Sequence, residues 1–305
     1  ASDVYKRQVQ YTTSMTFNPN SQLDSSQVSR GRGKPVMIGG GIGGVALLVL
    51  GLIFFGPEAV LNQLGSGEQP QQSQEDLAEK CRTGEDANRD VECRIVGTVN
   101  SLNDYWPTGT NELGKQYRNP SVQLTSGTWS TGCGQGNSNM GPFYCPADET
   151  AYFDTSFFEL MRQQLGAKEG PLPEEYVVAH EFGHHIQKIT GDINRTRDGK
   201  TGPQSNAVRL ELQADCYAGV WAANATKTHG PHGQPYLEPL KDSDIEAALG
   251  TAEAIGDDHI QETSGGRVTP ENFTHGSAEQ RMTWFKRGYD SGSPTRCNTF
   301  DVDRV

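Results

Sequence analysis

Residues 176–187 have the sequence YVVAHEFGHHIQ, which contains the pattern His-Glu-x-x-His at His180, Glu181 and His184. If this stretch is helical, His180 and His184 lie one turn apart on the same face and can present two imidazole nitrogens to one ion. Glu181 follows the first histidine and is placed to take a proton from a water that the metal activates. The pattern therefore predicts a helix that carries two metal ligands and a general base.

The stretch also has the ends that a helix needs. Pro173 and Glu174 suit a first turn and Gly191 suits a helix end, so we predict a helix over about residues 174–189. The alternative is a core helix that carries two unrelated histidines. That alternative leaves unexplained a second predicted helix, over about residues 206–225, which carries two carboxylates.

A third metal ligand has to come from outside the first helix. A catalytic zinc normally takes three protein ligands and keeps one position for water. One class of enzyme takes its third ligand from the longer pattern His-Glu-x-x-His-x-x-Gly-x-x-His. Here Gln187 and Thr190 occupy the positions of that glycine and that histidine, so this class is excluded.

The second predicted helix supplies the best candidate for the third ligand. At helical spacing, Glu211 and Asp215 fall on a face that is otherwise apolar. Burying an ionised carboxylate costs several kcal/mol unless it is paired or binds a metal. We therefore predict Glu211 as the third zinc ligand and Asp215 as the hydrogen-bond partner of a ligating histidine. A surface stripe, or an ion pair with Arg209 or Arg281, is the alternative.

An electrophilic donor is expected to stabilise the oxyanion that forms during hydrolysis. His275 precedes a predicted helix and is the first candidate, followed by Tyr217 and Tyr152. A structural role of His275 at the helix entry is the alternative. His185 is turned by about 100° from His184 and is expected to pack nearby rather than to bind the metal.

Charge and cysteine content narrow the class of protein. The net charge of −12 argues against nucleic acid as a partner, because phosphate binding needs a basic face. Six cysteines can pair completely, which suits an oxidising compartment, whereas reduced thiols would suit a cytosolic domain. The economical pairing joins Cys81 to Cys93 and Cys133 to Cys145, which leaves Cys216 with Cys297.

Composition divides the chain into four regions. They are a disordered cytoplasmic arm at 1–35, an apolar segment at 36–56, a polar linker at 57–76 and a folded domain at 77–305. Residues 1–14 precede the first methionine, and we interpret them as not native. The last region is long enough to bury a sizeable core.

The apolar segment, VMIGGGIGGVALLVLGLIFFG, predicts a single transmembrane helix because it is uncharged and long enough to cross the hydrocarbon core. Basic residues before it and Glu58 after it predict a cytoplasmic amino terminus and a periplasmic or extracellular domain. A cleavable signal peptide is the alternative. It is disfavoured because the run is longer than a usual signal sequence and no A-x-A site follows.

Short strands and longer helices alternate within the domain. Residues 95–99 and 121–124 look like strands, residues 144–154 like a hairpin, and residues 127–141 like a glycine-rich loop. Further helices are predicted over about 156–165 and from about 244 and 278. The expected fold is α+β, with an active-site helix, a small and mostly antiparallel sheet and a helical carboxyl-terminal part.

Several stretches together resemble the putative neutral zinc metallopeptidase family of single-span bacterial membrane proteins. They are Gly132-Cys133-Gly134, residues 141–148 (GPFYCPAD), residues 176–187, residues 211–219 (ELQADCYAG), and Thr274-His275-Gly276-Ser277 with residues 284–289 (WFKRGY). The resemblance implies a zincin-type fold, a zinc ion and peptide-bond hydrolysis. The Glu-x-x-Ala-Asp pattern is also similar to that of membrane-associated Glu-zincins, which implies Glu211 as the third ligand beside His180 and His184, with Glu181 as base.

These observations favour a membrane-anchored zinc metalloendopeptidase that acts on peptide or protein substrates outside the cytoplasmic membrane. A non-catalytic binding or assembly module, stabilised by zinc, is the first alternative. A structural site does not need a base beside the metal, so Glu181 argues against it. A zinc amidase that acts on cell-wall bonds is the second alternative. The sequence does not indicate the oligomeric state.

Overall fold

The computed structural model describes residues 16–31 and 77–305. Residues 1–15, the predicted transmembrane segment 36–56 and the predicted linker 57–76 lie outside the described residues. Within the two described ranges, no helix is long and apolar enough to cross a membrane.

Helices are the main regular elements of the described chain. In chain order they are α1 (Leu77–Lys80), α2 (Gly84–Arg89), α3 (Val91–Glu112), α4 (Ser156–Leu165), α5 (Pro171–Thr190), α6 (Asn206–Asn224), α7 (Asp242–Ala254), α8 (Asp257–Thr263) and α9 (Ala278–Ser291). The predicted active-site helix, second helix and carboxyl-terminal helices are thus confirmed as α5, α6, α7 and α9. The domain combines small sheets with a helical carboxyl-terminal part, so the α+β prediction is confirmed.

The strands form one mixed sheet and one hairpin. They are β1 (Ser29–Arg30), β2 (Ser121–Thr125), β3 (Thr128–Thr131), β4 (Gly134–Asn137), β5 (Phe143–Cys145) and β6 (Thr150–Asp154). The sheet has the order β1-β2-β6-β5, in which only β5 and β6 are antiparallel, while β3 and β4 pair separately. The prediction of a mostly antiparallel sheet is wrong for the four-stranded sheet. Its parallel pairs join strands distant in sequence, which local turn signals do not reveal.

The strand predicted at residues 95–99 is also wrong, because these residues lie within α3. Asp90 caps this helix by accepting hydrogen bonds from the backbone N–H groups of Glu92 and Cys93. The β-branched residues among 95–99 are buried in the core, where packing outweighs their preference for strands. Gly97 lies under the ring of Phe17, so a Cβ at this position would come within 2.5 Å of the ring.

Close contacts between helix backbones fix the part of the fold that carries the predicted ligands. A Cβ on Gly183 of α5 would lie 2.9 Å from the Cα of Ala214 of α6. A Cβ on Gly288 of α9 would lie 2.0 Å from the carbonyl oxygen of Cys216 of α6. These glycines allow α5 and α9 to pack directly on α6, so side chains from all three helices can converge.

The three predicted disulfides are confirmed by the structure. They join Cys81 to Cys93, Cys133 to Cys145 and Cys216 to Cys297, so no cysteine is free. The last bridge ties the carboxyl-terminal tail to α6, the helix that carries Glu211.

The prediction of a disordered arm is wrong for residues 16–31, which we call the strap. Thr16, Phe17, Ser21 and Val28 of the strap are buried. Its β1 adds to the sheet beside β2, and Gly31 donates a backbone hydrogen bond to Leu124. A search for apolar periodicity misses such a segment, because isolated side chains and backbone hydrogen bonds attach it.

The strap contacts the active-site helix through Glu175, a fully buried residue near the start of α5. The Thr16 hydroxyl donates a hydrogen bond to one Glu175 carboxyl oxygen. Burial raises the pKa of Glu175 from 4.5 to about 7, against the opposing effects of the Thr16 hydrogen bond and Arg94. Glu174 and Asp244 also face this carboxyl and contribute to the increase.

This raised pKa predicts that stability falls as pH rises from about 4.5 to 7. In that window the unfolded chain ionises Glu175 while the folded chain keeps its proton, so the unfolded state binds fewer protons. The full shift corresponds to about 3 kcal/mol of unfolding free energy. Glu175→Gln keeps a neutral acceptor for Thr16 and should flatten this part of the stability profile, measured by urea unfolding of the oxidised chain at several pH values. An unchanged slope in Glu175→Gln, with Glu169→Gln at an exposed position as the control, would contradict the prediction.

Candidate metal centre

Helix α5 presents its two histidines as the sequence predicted. Pro171 occupies its first position, and Gly191 ends it with a left-handed backbone at φ 93°. The rings of His180 and His184 lie with their centroids 4.8 Å apart, one turn from each other. The helix is mostly buried, and His180 is only 7% exposed.

Glu211 of α6 meets both histidines at one point. Its Oε2 lies 3.1 Å from Nε2 of His180, and its Oε1 lies 3.5 Å from Nε2 of His184. Ligand atoms from the three residues lie within 4.8 Å of one another. Bonds of 2.0–2.1 Å in a tetrahedron put neighbouring ligand atoms about 3.4 Å apart, so the three residues fit a zinc ion.

The outer nitrogens of both rings have acceptors, which leaves the inner nitrogens for a metal. Nδ1 of His180 lies 2.7 Å from Oδ1 of Asp215. Nδ1 of His184 lies 2.8 Å from Oε1 of Gln187, whose amide donates to the backbone oxygen of Leu210 at 2.6 Å. Such partners fix the tautomer and orientation of a ligating histidine. Gln187 lies one turn after His184, but its residue type alone does not indicate this role.

Asp215 is the centre of a buried polar network. It accepts hydrogen bonds from the Tyr176 hydroxyl and, at 2.9 and 3.0 Å, from Nε and Nη2 of Arg281 on α9. Burial alone would raise the pKa of Asp215, but Arg281 and His180 outweigh it and lower the pKa to about 2. Asp215 therefore remains ionised. It has both predicted roles, as the partner of a histidine and as the partner of Arg281.

The carboxylates around His180 control its protonation. Burial alone would lower the pKa of His180, but Asp215 and Glu211 raise it to about 10. A metal that binds at Nε2 therefore has to displace a proton at neutral pH. Metal affinity at this site should accordingly increase with pH.

Glu181 lies in the same cleft but does not belong to the cluster of three ligands. It is 7% exposed, and burial raises the pKa of its carboxyl group while His184 and His180 oppose the increase. The backbone of Tyr144 on β5 also hydrogen-bonds to it. A carboxylate with a raised pKa, beside the cluster of His180, His184 and Glu211, suits a proton acceptor.

His275 lines the cleft with His180, His184 and Glu211, whereas the candidates Tyr217 and Tyr152 do not. Its Nδ1 lies 3.2 Å from Oδ1 of Asp257, and Oδ2 of Asp257 accepts the backbone N–H of His275 at 2.7 Å. Burial lowers the pKa of His275, but Asp257 and Glu211 raise it overall. Tyr217 packs against Trp106 in the core, and Tyr152 donates its hydroxyl hydrogen bond to Asp148.

His185 points away from the ligand cluster, as expected. Its Nδ1 lies 2.8 Å from the Tyr144 hydroxyl, and its Nε2 lies 2.7 Å from the backbone oxygen of Arg118. Burial lowers the pKa of His185. It therefore supports β5, the strand whose backbone contacts Glu181.

The cleft is apolar around this polar centre. It has a volume of about 290 Å³. Its apolar walls come from β5, α4, α5, α6 and the segments after α5 and α7, and include Phe143, Phe157, Val177, Ile193, Leu210 and Ile255. β5 is the terminal strand of the described sheet, and its residues Phe143 and Tyr144 line the cleft.

Comparison with known proteins agrees with this geometry. The family model described as putative neutral zinc metallopeptidase matches residues 16–300, which confirms the resemblance seen in the sequence. An uncharacterized protein of Mycobacterium tuberculosis strain H37Rv is 52% identical over 224 residues, 73% of this chain and 75% of the relative. The uncharacterized protein YpfJ of Escherichia coli K12 is 40% identical over 268 residues, 85% of this chain and 87% of the relative. No solved structure matches the chain.

Proposed function

Because the chain belongs to the putative neutral zinc metallopeptidase family, we propose that it is a zinc metalloendopeptidase that hydrolyses peptide bonds in the cleft beside α5. The observation that supports this most strongly is the convergence of His180, His184 and Glu211 at zinc-ligand spacing, with Glu181 beside them. Three ligands leave one coordination position for water or substrate, as in catalytic zinc sites.

Each residue of the centre has a distinct part in the proposed reaction. A bound zinc ion would polarise the scissile carbonyl and promote deprotonation of the attacking water. Glu181 accepts the proton of that water and donates it to the leaving amine. Asp215 and Gln187 hold the two histidine rings in the tautomer that directs Nε2 towards the ligand cluster.

We assign His275 as the donor that stabilises the oxyanion. It lines the cleft, and its Nδ1 faces Asp257, which leaves Nε2 free to donate towards the substrate. Oδ2 of Asp257 also accepts the backbone N–H groups of Thr274 and Gly276, so the loop is held in place. A preorganised donor of this kind lowers the barrier to acyl transfer.

The cleft favours a peptide substrate in extended conformation. β5 is the terminal strand of the described sheet and lines the cleft beside Glu181, where an extended chain could pair with its backbone. Apolar walls formed by Phe157, Val177 and Leu210 would accommodate apolar side chains of the substrate. We further propose that the domain acts outside the cytoplasm, because three disulfides suit an oxidising compartment.

The decisive experiment compares the metal-loaded and chelated protein on peptide substrates and on cell-wall fragments. The full chain, loaded with zinc, should cleave an unfolded protein and a peptide library, lose this activity to a chelator and regain it with zinc. Failure to cleave any peptide, at stoichiometric zinc, would contradict the proposal and favour the binding-module alternative. Cleavage of cell-wall fragments alone would instead favour the amidase alternative.

A further inference from the structure

The strap is held to the domain by contacts that require both parts to be folded together. The side-chain amide of Asn88 makes two hydrogen bonds to the backbone of Phe17. It accepts from the Phe17 N–H at 3.1 Å and donates to the Phe17 carbonyl oxygen at 2.9 Å. Asn100 makes the same two hydrogen bonds to the backbone N–H and carbonyl oxygen of Asp24, at 2.8 and 2.9 Å. These asparagines act as the partners that a neighbouring strand would supply, so they specify the strap's backbone position.

Side chains of the strap also pack into the domain. The Phe17 ring is fully buried against Gly97 of α3. A Cβ on Gly84 would lie 2.0 Å from the backbone oxygen of Asn18, so α2 needs a glycine here to accommodate the strap. With the bond from Thr16 to Glu175, the strap touches α2, α3, α5 and β2. It is therefore an integral part of the domain.

This packing bears on how the chain meets a membrane. The sequence between the strap and α1 contains the uncharged run 36–56, whose length suffices for a crossing. A single crossing would separate residues 16–31 from residues 77–305. The buried contacts could then not form, because the two parts would lie on opposite sides.

Arg30, one of the basic residues that predict a cytoplasmic amino terminus, forms an ion pair with the domain. Nη2 of Arg30 lies 2.6 Å from Oε2 of Glu92, on the first turn of α3. Lys80 of α1 binds the same carboxylate at 2.7 Å. Arg30 thus has a binding partner in the domain, and its charge is accounted for without a cytoplasmic location.

We propose that residues 16–31 lie on the same side of the membrane as residues 77–305, and that this side is the oxidising one. The shared side follows from the buried contacts, and the choice of side follows from the three disulfides. This topology replaces the predicted cytoplasmic arm.

Cysteine accessibility in intact cells tests the proposal directly. Ser26→Cys in the strap and Glu253→Cys on α7 each place one thiol at an exposed position. In spheroplasts that express the full chain, a membrane-impermeant maleimide should label both variants to the same extent before and after lysis. Labelling of Glu253→Cys before lysis, with Ser26→Cys labelled only after lysis, would overturn the proposal. Labelling of both thiols only after lysis would show that the assignment to the oxidising side is wrong.

A cross-link tests the contact between the strap and the domain in the full chain. Ser29 of β1 lies opposite Gln123 of β2, so Ser29→Cys with Gln123→Cys should form a disulfide in the full chain. Ser29→Cys with Ser121→Cys is the matched control, since two residues along a strand increase the Cα separation to about 8 Å, beyond disulfide reach. Peptide mapping should find the 29–123 bridge in the first variant only. Its absence, or equal cross-linking in the control, would overturn the docked position of the strap.

Discussion

Glu181→Gln should retain zinc and lose peptide hydrolysis, with a fall in kcat of about 10²- to 10⁴-fold. Glutamine has nearly the same shape, so the packing beside His180 and the contact with the Tyr144 backbone can be kept. It has no basic carboxylate and cannot accept the proton of the attacking water. The loss should therefore fall on the chemical step rather than on metal binding.

The measurement pairs kcat on a cleavable peptide with zinc content per chain. Glu169→Gln is the matched control, because Glu169 is an exposed residue before α5 and lies outside the cleft. It should keep both zinc and activity. Wild-type kcat in zinc-loaded Glu181→Gln would exclude Glu181 as the base. Loss of zinc together with activity would show that Glu181 helps to bind the metal, which also contradicts the assignment.

The ligand cluster was predictable from sequence because its parts obey local rules. His180 and His184 depend only on helical spacing, and the carboxylates Glu211 and Asp215 stand out on an apolar face of the next helix. The short-range disulfides follow from economy of spacing, and the long-range bridge follows by exclusion. The helical inferences need one helix at a time, and each short-range pairing needs one chain segment.

The features that the sequence did not reveal depend on contacts between distant segments. Asp257 is one acidic residue among many until the fold brings it against His275. The strap has no periodic pattern, and its attachment depends on Asn88 and Asn100, whose types alone indicate no partner. The helix at residues 95–99 has β-branched residues that favour a strand, and only burial in the core decides the outcome.

Glu211→Ala should remove stoichiometric zinc and, with it, all peptide hydrolysis. Glu211 lies between the two histidines, within 3.5 Å of Nε2 on both His180 and His184. Burial opposes ionisation of Glu211, but His184 and His180 hold its pKa well below the usual range, so the carboxylate is ready to bind a cation. Removing one of three ligands should weaken binding by more than the 10- to 100-fold typical of outer partners.

A series of variants tests whether loss of Glu211 weakens zinc binding more than loss of an outer hydrogen-bond partner. The zinc affinity of each variant is measured by competition with a chelator. Asp215→Asn should weaken zinc binding by about 10- to 100-fold, because it removes the charge that orients His180 but leaves all three ligands. Glu211→Gln should weaken it more, since an amide oxygen carries no charge, and Glu211→Ala should weaken it most. Glu246→Ala, which removes an exposed carboxylate on α7, is the control and should bind zinc like the unmodified chain.

Near-ultraviolet circular dichroism shows whether each variant is folded. Stoichiometric zinc in folded Glu211→Ala would show that the third ligand lies elsewhere, because two histidines alone cannot complete a catalytic site.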